Sequence, residues 1–255
     1  MSVKLYAMTC GWLTGKMATF LPGGEGEIRV PVPTYLIDHP KGQVLFDSGL
    51  HEDVQFDPLG RLGFLTKVFK ADFGPGEELR ARLELLDVDV LKIRYLINSH
   101  LHFDHAGGNE QVRNAQLLLQ RPEWIAAHEP DQMAANGYQL HDYDHGHDLK
   151  LVDGDHDVFG DGSVVCIPTY GHTPGHQSLK VQLDGGDVLL TGDACYLKQT
   201  LEELRLPKVV SDREEMLRSL EKIRYLQRAG ARIFYGHDPD FWACVPQAPA
   251  EVKFF

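Results

Sequence analysis

Three histidines and an aspartate are concentrated in the segment His100-Leu101-His102-Phe103-Asp104-His105. Imidazole nitrogens and carboxylate oxygens are the ligand atoms that Zn²⁺ and similar divalent cations accept. The apolar run 93–97 directly precedes the segment and predicts a strand. Because α/β sheets place their ligands at the C-terminal ends of strands, the pattern favours a metal site over a solvated, histidine-rich loop.

Three more candidate ligands follow strand-like apolar runs further along the chain. They are His172, Asp193 and His237, and each has a glycine directly before it. A glycine at that position lets the backbone turn sharply and approach an ion closely. With the first segment, the candidates number five histidines and two aspartates, which is more than the roughly four ligands of one tetrahedral zinc.

The seven candidates suit two metal ions. We assign His100, His102 and His172 to one ion, and Asp104, His105 and His237 to the other. Asp193 would bridge the two ions. Two such ions hold a bridging hydroxide at neutral pH, which points to hydrolysis. We expect two divalent ions and default to zinc, although iron, cobalt or manganese would accept the same ligands. The chain has no G-x-S-x-G motif, which agrees with direct attack by water.

The order and spacing of these motifs resemble the metallo-β-lactamase superfamily over nearly the whole chain. Carried over residue by residue, the resemblance implies the same seven ligands, and it implies that Asp47, before Ser48 and Gly49, supports the metal loop from behind. A class B β-lactamase commonly has a cysteine ligand where this chain has Asp193, and it lacks the equivalent of His105. Hydrolysis of antibiotics is therefore not our first interpretation.

A narrower resemblance is to the N-acyl homoserine lactone hydrolases, the quorum-quenching lactonases of that superfamily. The segments that carry it are 22–37, 99–109, 173–179 and 192–196. The resemblance implies opening of the lactone ring by a metal-bridging hydroxide. Tyr196 stands three residues after Asp193, where its phenol would donate to the oxyanion. Asp104 would move a proton to the leaving alkoxide.

The acyl chain of such a substrate needs an apolar groove. The candidate lining residues are Met17, Phe20, Leu21, Phe64, Leu65, Phe69 and Phe103. Several of them fall in segment 50–75, which contains several glycines and which we interpret as a lid or arm over the site.

Other functions on the same fold stay open. A broad-specificity lactonase or esterase is one, and a thioester hydrolase of the glyoxalase II type is another. The carboxylates of glutathione would favour a basic patch near the C-terminus, where only Lys253 stands. A diiron oxygen-reducing module would usually replace a first-cluster histidine with glutamate and be fused to a flavin domain, so His102 and the length of the chain argue against it.

Composition limits the partners and the location. The chain has 255 residues, 43% of them hydrophobic, and a formal charge of −12, so we expect one domain over 1–255. The acidic balance and the lack of a Lys/Arg cluster disfavour a nucleic-acid partner. The acidic runs 142–144 and 153–157 predict solvated loops.

Four dispersed cysteines, no signal peptide and no long apolar stretch predict a cytoplasmic protein without a membrane segment. The expected partner is a small-molecule substrate, and the sequence leaves a homodimer open.

Strand-like and helix-like patterns alternate along the chain. Strands are predicted at 3–9, 33–38, 43–47, 93–97, 116–119, 149–152, 157–159, 163–167, 177–183, 187–191 and 231–235. Helices are predicted at 77–86, 109–114, 122–135 and 212–228, the last with the apolar stripe Leu217, Leu220, Ile223 and Leu226. Clusters of strands alternate with helices twice along the chain, which fits an α/β (α+β) fold. The family resemblance makes this a four-layer αββα sandwich with two mixed sheets face to face.

Overall fold

Two mixed β-sheets form the centre of the protein in the computed structural model, which describes residues 2–254. The strands are β1 (Lys4–Lys16), β2 (Glu27–His39), β3 (Gly42–Phe46), β4 (Phe69–Asp72), β5 (Tyr95–Ile97), β6 (Gln116–Gln120), β7 (Leu149–Val152), β8 (His156–Asp157), β9 (Val164–Pro168), β10 (Gln177–Leu183), β11 (Gly186–Leu190) and β12 (Arg232–Phe234). The first sheet has the order β4-β1-β2-β3-β5-β6-β7, and the second has the order β12-β11-β10-β9-β8. Each sheet contains both parallel and antiparallel pairs, as predicted.

The helices connect the strands and cover the outer faces of the sheets. They are α1 (Met17–Phe20), α2 (Pro58–Leu62), α3 (Leu79–Glu84), α4 (Phe103–Ala106), α5 (Arg121–Ala126), α6 (Pro130–Asn136), α7 (Leu140–Tyr143), α8 (Lys198–Glu203), α9 (Arg213–Arg228) and α10 (Pro239–Trp242). Short 3-10 turns span Glu52–Gln55, Gly63–Lys67, Val90–Lys92, Asn109–Val112 and Gly192–Ala194. Within residues 2–254, no helix combines the length and the apolar character that crossing a membrane requires.

The alternation of side chains along each strand builds the layers. In β3, Val44 and Phe46 point into the core between the sheets, while Leu45 points to the outer face of the first sheet, as the period of two in a strand requires. In β11, Val188 and Leu190 point inward and Leu189 points outward. The sheets therefore pack face to face over one shared apolar core.

Helices complete the outer layers on both sides. Leu79 and Leu83 of α3 pack on the outer face of the first sheet. Leu201 of α8 and Leu220 of α9 pack on the outer face of the second. The four-layer αββα sandwich is thus confirmed.

Several predicted boundaries are wrong for local reasons. The first two strands are much longer than the predicted 3–9 and 33–38. A register shift between Thr9 and Trp12 interrupts their pairing, and it hides from the sequence pattern the alternation that continues beyond it. The predicted helix 122–135 is two helices, since α6 begins anew at Pro130.

Two surface predictions also need correction. The buried face of α9 runs through Met216, Leu220 and Ile223, and Leu217 is 37% exposed because it lies beside that face. Asp142 is not in a solvated loop: it is 2% exposed, and its Oδ1 accepts a 2.6 Å hydrogen bond from Arg61.

Candidate metal centre and substrate pocket

The seven candidate ligands meet at one edge of the sandwich. β9 and β11 run in the same direction because each is antiparallel to β10, and β12 is parallel to β11. The three strands therefore end on the same side, where they are followed by His172, Asp193 and His237. The remaining four candidates follow β5 of the first sheet, and two of them, Asp104 and His105, lie in the short α4.

Four of the candidates form a first metal-binding group: His100, His102, His172 and Asp193. His100 Nε2 lies 2.9 Å from His102 Nδ1, and His172 Nε2 lies 3.2 Å and 3.1 Å from these two atoms. Asp193 Oδ2 is 3.3 Å from His172 Nε2. Ligand atoms around a tetrahedral zinc are about 3.3 Å apart, so the group has the dimensions of a coordination sphere.

The other three candidates, Asp104, His105 and His237, form a second group beside the first. Asp104 Oδ2 lies 3.7 Å from His105 Nε2 and 3.7 Å from His237 Nε2. Asp193 Oδ1 lies 3.2 Å from His105 Nε2 and 3.1 Å from His237 Nε2. One oxygen of Asp193 therefore faces each group.

Two buried polar atoms in this arrangement lack a hydrogen-bond partner. They are His105 Nε2 and Asp193 Oδ1, which are close together but poorly aligned for a hydrogen bond. A buried polar atom without a partner is costly, and a cation between the two atoms would satisfy both. The donor set of neutral imidazoles and carboxylates thus fits a pair of divalent cations.

In three of the histidines, a hydrogen bond at one ring nitrogen determines that the other nitrogen is free to bind a cation. His102 Nε2 donates to Asn136 O at 2.6 Å, His172 Nδ1 to Val209 O at 3.1 Å, and His237 Nδ1 to Pro31 O at 2.8 Å. A carbonyl oxygen can only accept, so each contact places the proton on that nitrogen and leaves the other lone pair free.

Asp47 supports the first histidine segment through hydrogen bonds on the side away from the cavity, as the family resemblance implied. Its Oδ2 accepts from His105 Nδ1 at 2.9 Å and from Ser99 Oγ at 2.8 Å, and its Oδ1 accepts from Ser99 N at 2.6 Å. Asp47 has a φ of 59°, a left-handed conformation that costs energy for a residue other than glycine. The three hydrogen bonds offset that strain.

Charge is unevenly distributed over the site. Burial lowers the pKa of His100 and His172 well below the usual value, which keeps both rings neutral. Burial also lowers the pKa of His105, but Asp193, Asp104 and Asp47 outweigh it and raise that pKa well above its usual value. The second group therefore attracts positive charge strongly.

Two neighbours of the ligands complete the floor of the site. His176 accepts from Asp193 N with Nε2 at 3.0 Å and so helps to orient Asp193. The Tyr196 ring packs against His172 and His237, with centroid distances of 5.6 Å and 5.3 Å. Burial and the charges of Asp193 and Asp104 raise the pKa of Tyr196 well above its usual value, so its hydroxyl stays protonated.

An apolar cavity of about 290 Å³ opens directly above the metal-binding groups. Its floor includes His102, Asp104, Asp193, Tyr196 and His237. Its apolar walls are formed by Leu13, Phe20, Phe64, Leu65, Val68, Phe69, Phe103, Ala134, Ala135 and Val209. Much of one wall comes from the segment 50–75, so that segment does lie over the site.

Two of the predicted groove residues lie away from the cavity. Phe20, Phe64, Leu65, Phe69 and Phe103 line the cavity, but Met17 and Leu21 do not. Leu21 is instead buried in the apolar cluster that also contains Val30 and Leu62. The chain turns back after α1, and the Met17 side chain packs against the backbone of Gly24, on the side of a different cavity lined by Leu197 and Phe241.

Glu123 is the principal residue of the site that sequence reasoning missed. It is completely buried, burial raises its pKa, and both of its carboxylate oxygens accept hydrogen bonds from the loops that carry the ligands. No local pattern marks it, because a glutamate after proline in the first turn of a helix is common on protein surfaces.

Comparison with known proteins gives concordant matches. A model of the metallo-beta-lactamase superfamily matches residues 28–237. The N-acyl homoserine lactonase AttM of Azorhizobium caulinodans is 35% identical over 256 residues, and the alignment covers 97% of each chain. The N-acyl homoserine lactonase AiiA of Bacillus thuringiensis subsp. kurstaki is 32% identical over 222 residues, covering 83% of this chain and 82% of that protein.

The fold is also similar to that of a solved N-acyl homoserine lactone hydrolase. That structure holds the product N-hexanoyl-L-homoserine at its catalytic metal centre. The TM-score is 0.88 at 28% sequence identity, and the match covers 99% of this chain and 100% of that one.

The loop after the first histidine segment is packed too tightly to accept another side-chain atom. A Cβ at Gly107 would lie 2.5 Å from His51 N and 2.8 Å from Gly49 O, although the backbone of Gly107 is helical, with a φ of −58°. We expect Gly107→Ala to destabilise the protein by about 1–3 kcal/mol through overpacking, measured by urea unfolding.

Gly74 supplies the matched control for that substitution. A Cβ at Gly74 would have its nearest neighbour at 3.9 Å, so Gly74→Ala should leave stability unchanged or raise it slightly. Equal stabilities for the two variants would contradict the close packing of the metal loop.

Proposed function

This chain belongs to the metallo-β-lactamase superfamily, and we propose that it hydrolyses N-acyl homoserine lactones to N-acyl homoserines. The observation that carries the proposal is the convergence of two metal-binding groups on the floor of one apolar cavity, beside the protonated hydroxyl of Tyr196. The relatives that the chain matches over 97% of its length are N-acyl homoserine lactonases.

We propose that the two groups hold two divalent cations, with Asp193 shared between them. When bound, such cations lower the pKa of water to near neutrality and polarise the carbonyl of the ester. His102 would bind through Nδ1, because its Nε2 is occupied by Asn136 O. His172 and His237 would bind through Nε2, because their Nδ1 atoms are hydrogen-bonded to carbonyls. We propose zinc for both positions, since imidazole and carboxylate are among its usual ligands.

Tyr196 is proposed to donate a hydrogen bond to the carbonyl oxygen as negative charge develops there. Its hydroxyl is buried in the floor of the cavity, and its raised pKa keeps it a donor at neutral pH. A preorganised donor in a dry site contributes most in the transition state, because the developing charge cannot be stabilised there by bulk water.

Asp104 is proposed to carry the proton to the departing alkoxide oxygen. It lines the cavity floor and is only 6% exposed. An alkoxide is a poor leaving group, so ring opening requires a proton at that oxygen or another source of positive charge.

The walls of the cavity favour a neutral substrate with an apolar tail. Among the residues that the structure describes, no lysine or arginine lines this cavity. A glutathione thioester would leave its carboxylates without a cationic partner there, which disfavours the glyoxalase II alternative. An acyl chain would gain about 0.8 kcal/mol for each CH₂ that it buries against the phenylalanines.

We also propose that the protein is cytoplasmic and does not bind nucleic acid. The net charge of −12 supports a protein that does not bind nucleic acid. The four cysteines are free, three of them buried, which supports a reducing, cytoplasmic location. A homodimer stays open as the assembly.

Lactone opening releases a proton, so acidification of a weakly buffered indicator solution measures the proposed reaction. We expect acyl homoserine lactones to be hydrolysed much faster than S-lactoylglutathione or nitrocefin. The value of kcat/KM should rise up to about fourfold per added CH₂ until the cavity is full. Faster turnover of the thioester or the β-lactam would overturn the proposed substrate.

Substitution of the ligands should reduce the metal content of the purified protein. We expect two equivalents in the wild type and fewer than two in His105→Ala and Asp193→Ala, because each variant removes a ligand that no neighbour replaces. His128→Ala is the control, because His128 is an exposed histidine outside both groups. Elemental analysis that finds two equivalents in both ligand variants would refute the assignment.

Tyr196→Phe removes the proposed donor and leaves the ring in place. We expect kcat to fall about 10²-fold, with KM changed much less and the metal content unchanged, because the hydroxyl acts in the transition state. Tyr225→Phe, at a side chain that is 70% exposed, should retain the kcat of the wild type. An unaltered kcat in Tyr196→Phe would exclude this role.

A further inference from the structure

Glu123 lies at the start of α5, where its carboxylate is surrounded by hydrogen-bond donors. It is 0% exposed. Oε1 accepts from Leu101 N at 3.0 Å and from the Tyr138 hydroxyl at 2.8 Å. Oε2 accepts from Thr173 Oγ1 at 2.8 Å and from Gly175 N at 3.0 Å. A buried carboxylate is tolerated only when its oxygens are satisfied in this way.

The donors belong to the segments that carry the histidines of the first group. Leu101 lies between His100 and His102, and Thr173 directly follows His172. Tyr138 lies two residues after Asn136, whose carbonyl accepts from His102 Nε2. All three histidines of the first group are therefore tied to one carboxylate.

The second group is positioned by other residues. Asp47 holds His105, and the carbonyl of Pro31 holds His237. None of the four hydrogen bonds of Glu123 goes to either of these two histidines or to a residue next to it, although Leu101 lies in the same segment as His105. Glu123 thus contacts the segments of the first group directly, whereas His105 and His237 are each held by a residue other than Glu123.

Glu123 also joins the two sheets. Its helix follows β6 of the first sheet, whereas Thr173 and Gly175 follow β9 of the second. A Cβ at Gly175 would collide with the backbone nitrogen of Glu123. The loop after His172 can therefore approach α5 only because residue 175 is a glycine.

We infer that Glu123 is a positioning residue that sets the geometry, and hence the metal affinity, of the first group without acting on the second. The inference rests on the proposed function, since it presupposes that both groups bind cations. The carboxylate aligns His100, His102 and His172 across the junction of the two sheets. Outer contacts of this kind typically change metal affinity 10- to 100-fold.

Glu123→Gln tests the inference with little change of volume. The amide has one oxygen in place of two, and its NH₂ group would face a backbone N–H that can only donate. At least one of the four hydrogen bonds is therefore lost, and the hydroxyl on the same side must reverse from donor to acceptor. We expect one metal ion to be held 10- to 100-fold more weakly and the other to change less than threefold, measured by chelator competition with elemental analysis. Glu123→Asp, which keeps the carboxylate, should restore part of the affinity.

Asp142→Asn is the matched control for loss of a buried carboxylate. Asp142 is 2% exposed, but its carboxylate pairs with Arg61 and not with a ligand loop. We expect this variant to hold both ions with wild-type affinity, even though it is destabilised. A loss of metal equal to that of Glu123→Gln would show that general destabilisation is the cause and would overturn the inference.

Gly175→Ala provides a second route if Glu123→Gln does not fold. It pushes the loop away from α5 and leaves the carboxylate intact, and the same selective loss of one ion is expected. Two unchanged affinities, or an equal loss of both, in the folded variant would refute the role of Glu123 alone. A wild-type protein that does not hold two ions would instead refute the proposed function, and this inference with it.

Discussion

The convergence of seven electron-rich side chains on the floor of one cavity is the constraint on which the rest of the structure depends. Imidazole lone pairs that face one another at about 3 Å in the first group repel, so each ring must be held by a contact on its far side. The protein meets this need with a hydrogen bond to the far side of the rings and with Asp47, whose left-handed backbone is kept in place by Ser99 and His105.

The two-sheet architecture provides positions for these contacts. Strand ends from both sheets lie at one edge, so ligands that are up to 137 residues apart in the chain are brought together. The junction between the sheets at this edge is polar and satisfied: Gln177 Nε2 donates to Asn98 O at 2.9 Å, and Glu123 accepts four hydrogen bonds.

The cavity above the ligands has a different physical origin from the metal centre. Its wall is a segment of short helices and turns that places phenylalanines over the site and leaves Phe64 66% exposed. That segment is anchored to the body by the buried pair of Arg61 and Asp142. Removing one partner of a buried pair leaves an unpaired charge, which is strongly destabilising, so the position of the wall is fixed by an ion pair as well as by apolar contact.

The sequence by itself determined the class of fold and identified the seven candidate ligands that the structure brings together in two groups. It could do so because each candidate follows a short apolar strand and the spacing is specific. It could not show the roles of Glu123 and Arg61, since their partners are distant in the chain and no local period marks them. It also could not show that Met17 points away from the substrate cavity. It also misplaced boundaries where a register shift or Pro130 interrupts a pattern. Ligand identity is a local property of residue type and strand position, whereas burial of a charge and the shape of a cavity exist only once distant segments pack against one another.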